Sequence, residues 1–275
     1  MSWLKLWVRD LLSVAFWLGR RLSGRGGRPG VRILLYHAIV EIPPRADRWR
    51  MSVPPALFAA HLAWLRRHGY TVVSLAEAVE MVQGARPMAD KAVAITFDDG
   101  FRDALLRAYP ILERAQVPAA VFVVAGSLGA PEPFPWLDNR AAFDRPLAWE
   151  ELQQLVSDPL VSVGSHTWSH QVLSGLPLEE QDRELAQSKA TIEARLGRPV
   201  RWCAYPYGHA GSFSLETIEC VKRLGFEAAC ANVMGVNHAG DSPWALKRTR
   251  IGWEDQLWRF RLKMAGAYDW TRWIS

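Results

Sequence analysis

From residue 31 onward the chain alternates short apolar runs with stretches of helical periodicity, and that alternation leaves few folds open. Residues 31–36, 71–73, 92–97, 119–124, 161–164, 201–204, 228–230 and 246–251 read as short buried strands. Between them, 55–67, 75–82, 102–115, 149–156, 178–196 and 214–224 read as helices. Pro55 stands near one helix start, Ser74 precedes another as a cap, and Leu196-Gly197 and Leu224-Gly225 look like C-terminal stops. Strands alternating with helices argue for a parallel sheet, most economically a closed or nearly closed α/β barrel. The 275 residues suffice for one such domain with a sizeable core. There are no internal repeats and no low-complexity segment.

Barrels of this class keep their chemistry at the C-terminal ends of the strands. His37 follows 31–36, Asp98 and Asp99 follow 92–97, His166 follows 161–164, and Tyr205-Pro206-Tyr207-Gly208 follows 201–204. Four groups of polar candidates therefore stand at one end. An Asp-Asp pair at a strand end reads, by itself, as a helix cap or turn, and a lone HxxxH as surface or packing. Together, Thr96-Phe97-Asp98-Asp99-Gly100 and Ser165-His166-Thr167-Trp168-Ser169-His170 offer a metal one carboxylate and two imidazoles and leave a second carboxylate to handle protons. Three N/O ligands with an open position are how proteins hold a catalytic zinc or similar ion. The two histidines, four apart, face one side if their segment is helical. Residues 126–146 carry Pro and Gly without periodicity and read as a rim loop over the site, bearing Trp136.

The charge is unevenly placed. Residues 1–30 hold Lys5, Arg9, Arg20, Arg21, Arg25 and Arg28 against Asp10 alone, so the whole net charge of +5 lies there and the remainder is neutral. The high pI of about 9.3 therefore describes an N-terminal appendage, not a nucleic-acid-binding surface. Arg9 and Asp10 interrupt the first apolar stretch, no Ala-x-Ala-like site follows, and the run is too short to span a bilayer, so it does not read as a secretory signal. As a helix, it puts Leu4, Trp7, Leu11, Val14, Ala15, Leu18 and Leu22 on one face and Lys5, Arg9, Ser13 and Arg20 on the other, with Phe16 misplaced. A basic amphipathic helix with tryptophans suits a membrane interface; the alternative is a helix packed on the barrel or on a second subunit. Residues 1–23 are expected to make peripheral membrane contact, and 23–30 (SGRGGRPG) to form a flexible linker before a domain at 31–275. Fourteen tryptophans suit both carbohydrate sites and membrane interfaces. The three cysteines, Cys203, Cys220 and Cys230, show no CxxC spacing and read as small buried hydrophobes in a reducing compartment.

TFDDG, SHTWSH and AYPYG, in this order, resemble the polysaccharide deacetylases of carbohydrate esterase family four, over about residues 31–255. The resemblance implies a distorted (β/α)7 barrel and a divalent-metal hydrolase that removes acetyl groups from sugars. Carried over by motif, Asp98 is the general base, and Asp99, His166 and His170 hold the metal. The backbone N–H of Tyr207 supplies the oxyanion contact. The sequence departs from the family in two places. Ala204 stands where many members have an Arg that holds the catalytic Asp, and the usual C-terminal Leu-x-x-His is missing. Instead Leu34-Leu35-Tyr36-His37 lies near the N-terminus, as in the permuted poly-N-acetylglucosamine deacetylases, which makes His37 the general acid. Lys247, Arg248 or Arg250 is expected to replace the missing Arg, with Arg248 the choice.

The expected function is therefore metal-dependent removal of an N-acetyl group from an N-acetylated sugar in polysaccharide or glycan assembly. One divalent ion is expected, zinc first, with Co2+, Ni2+ or Fe2+ as alternatives. A second expectation keeps the chemistry and changes the substrate: deacetylation or deformylation of a lipid-linked sugar at the cytoplasmic membrane face, by a protein peripheral to the inner membrane. A third is a catalytically inactive carbohydrate-binding scaffold, against which the intact Asp98, Asp99, His166, His170 and His37 weigh. Tyr205, Trp136, Trp168 and Arg248 are candidate substrate contacts. His61, His68, His209 and His238 lack comparable strand-end placement and receive no role.

Overall fold

The computed structural model describes residues 3–22 and 28–273. Of the linker expected over 23–30, residues 23–27 lie outside the described residues, as do the side chains of Leu4, Lys5 and Arg20. In chain order the main elements are α1 (Trp3–Leu22), β1 (Arg32–Tyr36), α2 (Pro55–Arg67), β2 (Thr71–Val72), α3 (Leu75–Gln83) and β3 (Ala92–Phe97). There follow α4 (Tyr109–Ala115), β4 (Ala119–Val123), α5 (Trp149–Leu155), β5 (Val161–Ser165) and α6 (Leu178–Leu196). The chain ends with β6 (Trp202–Ala204), α7 (Leu215–Arg223), β7 (Ala228–Cys230), β8 (Arg248–Arg250) and α8 (Leu257–Met264).

All strand pairs are parallel, in the order β7-β6-β5-β4-β3-β1-β8, with the two-residue β2 beside the start of β3. A parallel bridge from Cys230 to Leu246, just ahead of β8, brings the two edges together, so the path of seven strands is nearly closed. The N-terminal strand β1 sits between β3 and β8, with Leu34 opposite both Ile95 and Thr249.

Residue alternation sorts each strand between two apolar layers. Ile33, Ala94, Ala120, Phe122, Trp202, Ala204, Ala228 and Cys230 form one cluster inside the barrel, joined by α3. Leu34, Ile95, Val121, Val123, Val163 and Cys203 point the other way, against the surrounding helices. Alanines dominate the inner layer because the barrel is narrow. At Gly164 an added Cβ would lie 2.5 Å from the Phe122 ring, an overpacking worth about 1–3 kcal/mol.

Sequence periodicity locates these elements closely, and two departures have physical causes. The helix expected over 102–115 opens with a π turn over Ala104–Ala108, where the Tyr109 N–H reaches the Ala104 carbonyl. Pro110 follows immediately and has no N–H to continue the α ladder. The second departure is α8, absent from the expectations because Arg259 and Lys263, on its buried side, disguise its apolar face. Arg259 pairs with Asp10 and Lys263 with Asp255 at 2.6 Å.

The N-terminal helix packs on the barrel through its polar side, burying Leu6, Asp10 and Ser13. Asp10 binds Arg259 and accepts the Tyr268 hydroxyl at 2.7 Å, while Trp270 Nε1 donates to Ser13 at 2.9 Å. Trp7, Leu11, Leu18 and Leu22, from the apolar face expected at a membrane, remain exposed. No helix among the described residues is long and apolar enough to cross a membrane. All three cysteines are free and buried.

Candidate metal centre and active site

Strand β3 delivers the first pair of carboxylates. The Asp98 N–H continues the ladder by donating to the Tyr36 carbonyl at 2.9 Å, and the chain then turns through Asp99, at φ 73°, and Gly100. A non-glycine residue in that left-handed region stores strain, and here it turns the two side chains into the barrel mouth. Both are almost wholly buried.

Strand β5 delivers the imidazoles. His166 is tied down by its N–H to the Val123 carbonyl and by Nδ1 to the Ala204 carbonyl at 2.7 Å, which turns Nε2 to the carboxylates. The segment after it is a turn, not the helix that would bring i and i+4 together. Thr167 (φ 66°) and His170 (φ 62°) are both left-handed, and the His170 N–H donates to Thr167 Oγ1. Glu184 on α6 braces the turn by accepting from the Trp168 and Ser169 N–H groups and the Ser169 hydroxyl.

Asp99 Oδ1 lies 3.5 Å from His166 Nε2 and 3.5 Å from His170 Nε2, and one ligand atom from each of the three falls within 4.8 Å of the others. Both Asp99 oxygens are buried with no hydrogen-bond partner. Uncompensated burial of this kind is costly, and a cation among the three resolves it. Two imidazole nitrogens and one carboxylate oxygen fit a borderline divalent ion such as zinc. The three residues thus fit the metal that the motifs imply.

Asp98 has a different partner. Arg248 on β8 grips both its oxygens at 2.7 Å, and Arg248 Nε donates to the Ala231 carbonyl. Burial would raise the Asp98 pKa, but Arg248 and His166 hold it below the ordinary carboxylate value. Asp99 is likewise raised by burial and lowered further by His166, His170 and His37, ending depressed. Arg248 therefore occupies the role left open by Ala204, and its guanidinium is committed to Asp98 rather than offered to a substrate.

His37, just past β1, lines the same cavity with a buried, unpartnered Nδ1. Burial lowers its pKa to about 4, against the opposite pull of Asp99 and Asp98. His170 is also lowered to about 4 by burial, with Asp99 pulling the other way. His166, despite burial, is raised by Asp98 and Asp99. Tyr207 is left-handed (φ 62°) and its N–H makes no hydrogen bond among the described residues.

The cavity holds about 680 Å³ and brings together His37, Asp98, His166, His170, Tyr207 and Trp136. Trp136 comes from the rim loop and stacks on His170, ring centroids 4.1 Å apart. The rest of that loop is well packed, Phe134 and Phe143 lying against Phe101. Two expected substrate contacts lie elsewhere. Tyr205 is a core residue, stacked on Phe213 at 4.1 Å with its hydroxyl on the Trp244 carbonyl. Trp168 packs beside Gly126, where a Cβ would lie 2.6 Å from its carbonyl, and against the outer core. His61 is a packing histidine, held between Tyr36 and the Asp255 carbonyl. Arg9, His209 and Arg250, to which sequence reading assigns other roles or none, line the cavity too, together with Arg50 and Asn232, which it misses. They stand on irregular segments or far along the chain, where no motif marks them.

A sequence profile of the polysaccharide deacetylase family matches residues 85–229. The Bacillus subtilis (strain 168) protein YxkH is 27% identical over 219 residues, covering 80% of this chain and 70% of that relative. The poly-beta-1,6-N-acetyl-D-glucosamine N-deacetylase of Escherichia coli (strain K12) is 34% identical over 131 residues, which are 45% of this chain and only 19% of the relative. Among solved structures, IcaB from Ammonifex degensii superposes with a TM-score of 0.74 at 26% identity, covering 88% of this chain and 98% of that one.

Proposed function

The chain belongs to the polysaccharide deacetylase family, which are hydrolases, and from that premise we propose that it removes the N-acetyl group of an N-acetylated sugar in polysaccharide or glycan assembly. The observation that carries the proposal is the division of labour between two adjacent carboxylates. Asp99 stands unpartnered between two imidazoles, while Asp98 is held ionised by Arg248 within reach of the same space. Asp99, His166 and His170 would hold one divalent ion, zinc first. Such an ion supplies positive charge that polarises an amide carbonyl and acidifies water.

The remaining roles fall to the chain itself. Asp98, ionised and fixed by the Arg248 fork, takes a proton from the attacking water. The free N–H of Tyr207 faces charge developing on the carbonyl oxygen. His37 returns a proton to the departing amine. Trp136 offers a flat apolar surface for a sugar ring. Measured acetate release from N-acetylglucosamine oligomers, alongside metal content, tests this assignment. Asp98→Asn should keep its metal and lose turnover by about 100-fold or more, whereas Asp99→Ala should lose the metal. An Asp98→Asn protein that empties while Asp99→Asn stays loaded reverses the two roles.

A second reading has its own support. The apolar face of α1 points away from the barrel, and the sequence's positive excess lies in the same segment. These features favour a protein peripheral to the inner membrane on its cytoplasmic side, acting on a lipid-linked acetylated or formylated sugar. Three unpaired cysteines suit that compartment.

A further inference from the structure

Away from the carboxylates, the cavity wall is crowded with cations. Arg9 from α1, Arg50 from the loop after β1, Arg250 from the end of β8 and Lys263 from α8 all line it, and Glu254 lines it beside them. Lys263 is neutralised by Asp255 at 2.6 Å, and Arg259 behind it by Asp10. The three guanidinium groups are less well served. Arg50 Nη1 stands 3.2 Å from Glu254 Oε1, and Arg9 Nη2 stands 3.9 Å from the same oxygen. Arg9 Nε is also 3.9 Å from Asp10, which is already committed to Arg259 and Tyr268. Arg250 donates to the Trp49 carbonyl, and no carboxylate among the described residues lies within 4.0 Å of it.

Arg9 Nε and Nη2 and Arg50 Nη1 are buried without a hydrogen-bond partner. Asp47 adds to the field at Arg250, but its oxygens are taken by the Met51 and Ser52 N–H groups and the Ser52 hydroxyl. Burial and the neighbouring Arg50 charge push the Arg250 pKa down, the opposite of what a partnered guanidinium shows. Arg50 is itself held in a left-handed conformation, φ 55°.

Guanidinium groups without a full set of carboxylate partners, lining one concave wall, match the tetrahedral oxygens of a phosphate. Placement supports a phosphate on the substrate itself. Arg248 and Arg250 are i and i+2 on β8, so they share one face about 6–7 Å apart along the strand. Arg248 marks the base, and a phosphate on the sugar carbon next to the acetamido carbon would sit at about that spacing from the reacting amide. We propose that Arg9, Arg50 and Arg250 bind a phosphate carried on the anomeric carbon of the N-acetylated sugar. The proposal rests on the deacetylase reading for the identity of the sugar, but the phosphate site itself is separable from it. Because Arg9 lies on the helix whose Trp7 and Leu11 face outward, the phosphate has two sources, a polyprenyl-phosphate-linked sugar or a soluble sugar 1-phosphate.

Calorimetric titration of the metal-loaded full-length protein with inorganic phosphate is the first test. Saturable binding should weaken about tenfold or more in Arg250→Gln and in Arg50→Gln, the loss of one charge-assisted contact. It should survive in Asp99→Ala, which separates the wall from any phosphate held by the metal. Arg250→Lys should recover part of the affinity, and Arg9→Gln, at a partly exposed position of α1, keeps the test open if a more buried variant fails to fold. Absent binding, or binding lost in Asp99→Ala and retained in the arginine variants, overturns the site.

The kinetic arm compares N-acetylglucosamine 1-phosphate with the uncharged methyl glycoside. The phosphorylated sugar should have the lower KM, and Arg250→Gln should erase that advantage through KM rather than kcat. Hydrolysis of both sugars with equal KM and no phosphate binding would defeat this inference and leave the deacetylase reading standing. Phosphate binding with no acetate released from any sugar would do the reverse. Vesicles carrying polyprenyl-phosphate-linked N-acetylglucosamine separate the sources: faster turnover there than on the soluble 1-phosphate identifies the lipid form.

Discussion

Removing Arg248 is the most searching perturbation of this site. Its guanidinium is 1% exposed and grips both oxygens of Asp98, itself 3% exposed, at 2.7 Å. Taking away one partner of a buried pair strands the other's charge, at a cost of about 3–5 kcal/mol. Arg248→Met keeps the volume and removes the charge, so its full cost should appear at neutral pH in urea unfolding of the metal-free protein.

The sign of the pH dependence follows from Asp98. In the wild type its folded pKa lies below the ordinary value, so its contribution is present above about 3.8 and is lost as pH falls through the folded pKa. Without Arg248, burial dominates and the folded pKa rises above the ordinary value. The variant then loses stability as pH rises, so the gap between the proteins should widen from pH 4 to pH 7. Asp98→Asn combined with Arg248→Met should cost less than the sum of the two single changes, because the stranded charge is gone. Activity of Arg248→Met should fall by about 100-fold or more, since the base is neutralised and unfixed. A cost under about 1 kcal/mol at pH 7 with no coupling in the double variant would refute the account of the fork.

Three further outcomes are expected. His37→Gln should leave metal content unchanged and remove the limb on which activity falls with rising pH, with the rate about 100-fold lower; an unaltered profile at near wild-type rate discards the role. Replacing exposed Trp7, Leu11 and Leu18 together by Gln should cut co-sedimentation with anionic vesicles at least about tenfold, each burial being worth about 1.5–3 kcal/mol. Equal pelleting of both proteins makes α1 a purely internal packing element. His61, lowered to about 4 by burial, takes its proton in the unfolded chain first as pH falls below about 6.5. Stability of His61→Gln should therefore depend less on pH between 6 and 4, by about 1.4 kcal/mol per unit, and identical slopes would refute it.

Much of the barrel was legible because strand and helix periods are local properties. The runs at Ala92–Phe97 and Ala228–Cys230 and the helices Pro55–Arg67 and Leu178–Leu196 are found where periodicity puts them. The metal-fitting triad was legible because its motif residues directly follow strands. The geometry that unites it was not. His170 meets His166 through two left-handed residues, a tertiary feature that helical spacing misdescribes. Tyr205 and Trp168 were read as sugar contacts because aromatic type alone does not separate a platform from a core ring. The cationic wall was invisible for a different reason: Arg9, Arg50 and Arg250 are brought together only when the two chain ends meet.

That meeting has a consequence for the making of the protein. Strand β1 leaves the ribosome early, yet one of its two edges is completed only by β8, and Asp10 is completed only by Arg259. Ile33 and Arg248 are paired residues at opposite ends of the chain. At synthesis rates of about 5–20 residues per second, the first strand waits roughly ten to forty seconds with an open edge. Such an edge invites pairing with other chains, and contacts this distant in sequence close slowly. The same delay keeps Asp98 without its fork. A nascent chain already carries the metal-fitting triad, but its base is fixed only after β8 has emerged and the barrel has closed.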